Sequence, residues 1–105
     1  MSLCKQLMIA CYILFSKKLN RFYIGATQNS IEERIRKHNE KVYGNNAFTA
    51  TVNDWELFLY IDVLSYDHAL RIEKHIKKMK SSVYIKNLKS YPEMINLLKN
   101  KTERK

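Results

Sequence analysis

Cys11-Tyr-Ile-Leu-Phe-Ser-Lys-Lys-Leu-Asn-Arg-Phe-Tyr-Ile-Gly25 is the stretch whose reading decides the fold. Two runs of β-branched and aromatic residues, Cys11 to Phe15 and Phe22 to Ile24, flank a polar segment that contains Asn20. That pattern reads as a β-hairpin with a loop longer than the tightest type. Each run holds a Tyr-Ile pair, and successive strand side chains point to opposite faces. A suitable register therefore gathers Tyr12 and Tyr23 on one side and sends Ile13 and Ile24 to the other, leaving a paired hydroxyl site beside a core face. Tyrosine is also simply a good strand former, and the residues alone leave both readings open. Gly25 ends the second strand, where a missing Cβ permits a bulge, an unusual dihedral or the close approach of a ligand.

Upstream of the hairpin, the apolar run Leu7 to Phe15 follows Lys5 and resembles the start of an export signal. It is too short to span a bilayer and lacks a small-residue cleavage site, so it reads as a buried strand over about 7–16, after a short leader, with no membrane role. Downstream, the period changes. From Asn29 or Ser30, either of which can cap, Ile31, Ile35, His38 and Val42 share one helical stripe; Glu32 and Glu33 lie in the first turn, Lys37 and Lys41 later. Residues 43–54 read as a loop with a short helical piece, and Trp55 to Leu64 as a third strand. Ser65 or Asp67 then caps a second helix, with Ala69, Leu70, Ile72, Ile76 and Met79 on its apolar side. A short helix over 83–89 and a last one begun by Pro92 follow. The spacing predicts a single domain over 1–98 and a frayed basic tail over 99–105. The fold class is α/β, a small sandwich of a three-stranded, mostly antiparallel sheet with flanking helices.

The chain has 105 residues, enough for one domain and one core. Nineteen Lys and Arg stand against ten Asp and Glu, a formal charge of +9, and a surplus of that size suits a polyanionic partner. Cys4 and Cys11 make neither a disulfide framework nor a zinc site, which points to a reducing, cytoplasmic location.

Among charged residues on the helices, Glu73 borders the side of its helix that must pack inward, between Ile72 and Ile76. A helical glutamate is most often solvated or paired with a neighbour such as Lys77. Arg34 sits beside Ile31 and Ile35, where solvation is the ordinary account, and Arg36, two residues on, cannot share its face equally. His38 lies on the apolar stripe, where a packed, hydrogen-bonded histidine is commoner than a base or ligand.

These residues, in this order, carry a resemblance. Cys11-Tyr12-Ile13, an intact Tyr23-Ile24-Gly25, the run from Gly25 through Arg34 to His38 and Asn39, and the run Ala69 to Lys80 around Glu73 together are similar to the GIY-YIG nuclease family. The likeness is closest to small stand-alone members resembling the nuclease domain of the excision-repair incision enzyme, which makes DNA repair the implied setting. Two departures stand out: Cys11 replaces the first glycine, and Ser81-Ser82-Val83 stands where small members often carry an arginine.

The resemblance implies a metal-dependent endonuclease that hydrolyses DNA phosphodiester bonds, structure-selective or weakly specific. Its catalytic residues are Tyr12, Tyr23, Arg34, His38 and Glu73, converging on one phosphate. Glu73 holds one Mg²⁺ or Mn²⁺, Arg34 forks onto the phosphate, and one tyrosine activates water while the other positions it. Gly25, Arg36, Lys74, Lys77, Lys78, Lys80 and Asn87 contact the nucleic acid, and a protein partner is expected to supply specificity. Two alternatives compete: a noncutting nucleic-acid-binding module of the same fold, and an interaction subunit with an apolar patch around Met94, Leu97 and Leu98.

Overall fold

A computed structural model of the chain describes residues 9–40 and 52–103, so the leader, Val42 and most of the 43–54 loop lie outside the described residues. Strand β1 spans Ala10–Ser16 and β2 spans Arg21–Thr27, an antiparallel hairpin closed by a four-residue turn over 17–20. Asn20 ends that turn at φ 54°, a left-handed conformation that asparagine tolerates better than most side chains. A carboxylate from a distant segment fixes the turn. Asp54 accepts from Ser16 Oγ at 2.6 Å and from the Lys18 backbone N–H at 3.0 Å, tying the approach to the third strand onto the hairpin.

Strand β3, Glu56–Asp62, pairs antiparallel with the other edge of β1, and the sheet order is β2-β1-β3. β1 is therefore the central strand, and Ala10 through Leu14 are all buried. The register places Tyr12 opposite Gly25 on one side and Tyr60 on the other, while Leu14 faces Tyr23. A slip between Ile13 and Leu14 in the β1/β3 pairing marks a bulge, which restarts the alternation of β3 after Leu57.

Helix α1, Ile31–Asn39, follows β2 and is capped by Ser30 rather than Asn29; the Ser30 hydroxyl accepts from the Glu33 backbone N–H. Helix α2, Tyr66–Met79, is capped by Ser65, whose hydroxyl accepts from the His68 backbone N–H. Helices α3, Ser82–Ser90, and α4, Pro92–Thr102, complete the chain, with Pro92 in the first turn where its missing N–H costs nothing.

The sheet divides the helices into two layers. Cys11, Ile13, Ala26 and Ile61 pack with Ala69, Ile72 and Ile76 of α2, Ile85 and Leu88 of α3, and Leu98 of α4. On the opposite face, Tyr12 and Leu14 pack with Trp55, against which Ile31 and Ile35 of α1 are laid. The phenols and the isoleucines of the two Tyr-Ile pairs thus part company as the alternation predicts: Ile13 and Ile24 join the larger core, Tyr12 and Tyr23 the smaller.

The C-terminal segment departs from the expectation of a frayed tail beginning at 99. Helix α4 continues through Thr102 because polar groups of α2 grip its last turn. Arg71 Nε donates to the Thr102 carbonyl at 2.6 Å, and His68 Nε2 lies 3.1 Å from the Lys99 carbonyl oxygen and 3.0 Å from Thr102 Oγ1. These contacts engage carbonyls that a helix end otherwise leaves to water. The expected apolar patch around Met94, Leu97 and Leu98 is absent as such: Leu98 is buried, Met94 packs on the core, and Leu97 alone of the three is exposed. Among the described residues, no helix is long and apolar enough to cross a membrane.

Candidate active site

The site is built on the smaller face, and its floor is Tyr12, fully buried on the central strand. Its ring lies across the strand opposite. A Cβ added at Gly25 would stand 2.7 Å from Tyr12 Cζ and 2.7 Å from its Oη, closer than real Cβ contacts allow. Strand pairing runs unbroken through Gly25 to Thr27, so the glycine makes no bulge and does not end the strand. Of the openings its missing Cβ allowed, the structure uses close approach, and the approaching group is the protein's own phenol. Gly25, one of the expected nucleic-acid contacts, is itself buried beneath Tyr12.

Helix α1 supplies the next layer. Asn39, which the sequence reading passed over, fixes its C-terminal end: the side chain donates to the Trp55 carbonyl at 3.1 Å and accepts from the Trp55 backbone N–H at 2.8 Å. No local signal marks that clamp, since it joins residues sixteen positions apart. With Ile31 and Ile35 on the sheet, Arg34 and His38, one helical turn apart, both reach Tyr12. Arg34 Nη2 donates to Tyr12 Oη at 3.5 Å, and its guanidinium carbon lies 5.9 Å from the ring centroid. Tyr12 Oη lies 3.2 Å from His38 Nε2.

Burial, and secondarily the Arg34 charge, push the His38 imidazole down to about 4. His38 is consequently neutral at pH 7. With its proton on Nδ1, the Tyr12 hydroxyl donates to Nε2, and the hydrogen bonds run in one direction from Arg34 through Tyr12 to His38. Tyr23 closes the cluster, its ring centroid 4.7 Å from that of His38, 6.2 Å from Tyr12 and 6.3 Å from Trp55. Unlike Tyr12, it is only half-buried. Tyr60, directly across β1 from Tyr12, adds a third phenol to this face. Burial and the charges of Asp62 and Glu32 raise its pKa, so it stays protonated. The alternating β3 run pointed to it only if the bulge was known.

Four of the five expected catalytic residues therefore meet, and the fifth stands apart. Glu73 belongs to α2, in the layer behind the sheet, close enough to the buried Cys11 thiol that its charge, after burial, helps push that thiol up and leave it unreactive. On α2 it falls on the flank opposite His68 and Arg71, which meet α4; α4 in turn reaches β3 through Lys99 and Asp62, 3.5 Å apart. The Glu73 flank accordingly lies toward β2, one of the two edge strands of the sheet. Its side chain is 19% exposed and pairs with Lys77 at 2.6 Å.

The expected nucleic-acid residues scatter. Arg36 is on the outer surface of α1, bridged to Glu33 at 3.3 Å and Glu40 at 2.8 Å. Lys77 is taken by Glu73, and Lys74 and Lys78 point from other parts of α2. Lys80 caps that helix at φ 49° and, with Arg21 and Lys86, borders a cleft over Phe15 and Phe22. Asn87 is half-buried on α3, in the α2 layer, where its carbonyl accepts from the Tyr91 N–H.

No group of three or more His, Cys, Asp or Glu side chains able to hold a metal ion occurs among the described residues. A hard ion that keeps several waters and takes phosphate oxygens needs only one or two protein carboxylates, and a largely buried Glu73 fits that donor set if Lys77 yields its oxygen.

No curated protein and no solved structure matches the chain. A family model does: that of the GIY-YIG catalytic domain, over residues 8–89. The match takes in both Tyr-Ile pairs, α1 with Arg34 and His38, and α2 with Glu73, and the chain belongs to the GIY-YIG family.

Proposed function

We propose that this protein is a divalent-metal-dependent endonuclease that hydrolyses DNA phosphodiester bonds, structure-selective or weakly specific, acting in the cytoplasm and in DNA repair. The observation that carries the reading is the cluster of Arg34 and His38 on the Tyr12 hydroxyl, set on the smaller face beside a half-buried Tyr23. Membership of the family supports nuclease-type chemistry in general. The +9 charge favours DNA as the partner.

Each residue then has a task. Arg34, anchored by Tyr12, presents its planar guanidinium to the scissile phosphate and offsets charge that grows on the equatorial oxygens. Tyr12 has no solvent exposure, so it acts as a positioning group whose hydroxyl is held between Arg34 and neutral His38. Tyr23 is the phenol with access to water and is the better base. To act as a base it must give up its phenolic proton, and the positive charge of Arg34 on the same face favours the phenolate. Mg²⁺ or Mn²⁺ on Glu73 would supply Lewis-acid stabilisation of a phosphoryl oxygen and the departing alkoxide. Because Glu73 flanks the β2 edge while Arg34 lies on the tyrosine face, the phosphate must be engaged around that edge.

The test is single-turnover cleavage of plasmid, single-stranded, flap and branched DNA with Mg²⁺ or Mn²⁺, beside a thermal melt for each variant. Glu73→Gln should abolish cleavage and leave binding nearly intact, and Arg34→Ala should cost on the order of 10²-fold or more in rate. Tyr23→Phe should lose cleavage severely with little change in melting temperature. Equal cutting by the parent and Glu73→Gln would overturn the mechanism.

A second reading, a binding module that does not cut, draws on one observation: Glu73 sits in the other helical layer, already paired with Lys77. It predicts metal-independent DNA binding and no cleavage of any substrate in that panel. A protein partner supplying specificity is compatible with both readings.

A further inference from the structure

The basic residues of α2 do not form one surface. Arg71, Lys74, His75 and Lys78 recur at i, i+3, i+4 and i+7, a single stripe, and it runs along the side of the helix turned away from Ala69, Ile72 and Ile76. Lys101 of α4 faces the same space, and together they line a groove of about 490 Å³. We propose that this groove, lying behind the sheet from the tyrosine cluster, binds the phosphate backbone of a second nucleic-acid segment.

The other helices provide the contrast. On α1, Arg36 and Lys37 are answered by Glu33 and Glu40, and Lys77 on the neighbouring flank of α2 is answered by Glu73. Among the described residues, Lys74, Lys78 and Lys101 have no ion pair, and Glu103 is the one acid on the groove wall. Like charges held this close repel, a cost that a polyanion reverses. The field is felt within the groove. Burial first, then the charges of Lys101 and Lys78, lower the proton affinity of His75.

The groove is also built rather than incidental. Arg71 Nε is fixed to the Thr102 carbonyl at 2.6 Å, so the two walls are joined by the same residue that contributes charge. The stripe covers seven residues of rise, about 10 Å, which matches about three successive phosphates of one strand. No Phe, Tyr, Trp or large apolar side chain lines it, and the one ring on its wall, His75, already meets Tyr84 with centroids 6.1 Å apart, so the groove reads backbone rather than sequence.

The proposal rests on nucleic acid being the partner, as above, but needs no cleavage. The test compares the full-length parent, Lys74→Gln/Lys78→Gln/Lys101→Gln and Arg34→Ala in EDTA, with labelled duplex followed by anisotropy across a salt series. A bridging assay then asks whether a bead-tethered duplex captures a second, free duplex through the protein. The triple variant should melt like the parent, bind at least about tenfold more weakly and show a flatter salt slope by about two to three units. It should also lose bridging. A folded triple variant that binds and bridges like the parent overturns the groove and leaves the nuclease reading standing. A parent that neither binds nor cuts any nucleic acid overturns both.

Discussion

The two faces of one three-stranded sheet are put to opposite uses, although both are written into the same seven residues of β1. Behind the sheet, Cys11 and Ile13 meet the aliphatic side chains of three helices. In front, Tyr12 meets Arg34, His38 and the Tyr23 ring. The rear face holds the chain together by removing apolar surface from water, which tolerates no loss of volume. The front face buries the Tyr12 hydroxyl between Arg34 and His38, both within hydrogen-bond reach. The same burial has different consequences on the two sides: it pushes the Cys11 thiol up and makes it inert, and it pushes His38 down and makes it a neutral acceptor at pH 7.

That difference should appear most strongly when the rear face is hollowed. Ile72→Ala should cost about 2–5 kcal/mol of stability, read as the midpoint of urea denaturation, because Ile72 is fully buried where α2 meets the sheet. If the protein survives, the front-face array should keep its geometry, and cleavage per folded molecule should change little. A parallel loss of rate at full folding would mean that the two faces are coupled through β1.

The next effect belongs to the front face and to pH. The folded His38 titrates near 4 against an ordinary 6.5, so the unfolded chain binds more protons between these values. Stability from its neutral burial is complete above about pH 6.5 and is lost as pH falls toward 4, about 3 kcal/mol at most. Denaturation midpoints at pH 7, 5.5 and 4 should fall in the parent, and His38→Phe should flatten that part of the profile.

Gly25→Ala sharpens the comparison further. The added methyl enters the space of the Tyr12 ring, which must shift, at a cost of about 1–3 kcal/mol. The larger consequence should be in rate, since the ring also anchors Arg34. A variant that melts lower but cuts at the parental rate would remove Tyr12 from its positioning role. Smallest of all is Arg36→Ala, whose ion pairs are half-exposed and worth about 0–1 kcal/mol, with duplex affinity almost unchanged.

The sequence by itself determined the local units and their facing. Alternation in Cys11 to Ile24 separates phenols from isoleucines, helical periodicity after candidate caps marks α1 and α2, and the ordered motifs carry the family. Each is an interaction among residues a few positions apart, which is why it could be read without coordinates. Even the spacing of the basic stripe of α2 is present in the chain. What the tertiary structure alone decided concerns residues far apart in the chain. It found that Tyr12 takes the place of the missing Cβ of Gly25, that Asn39 clamps Trp55, and that Arg71 grips the end of α4, whose helix runs through Thr102. It also set Glu73 behind the sheet, toward the β2 edge, while the tyrosines lie in front. Helical spacing could place that carboxylate at the border of an apolar face, but which side of the sheet α2 would cover is settled by where its isoleucines find a core to fill.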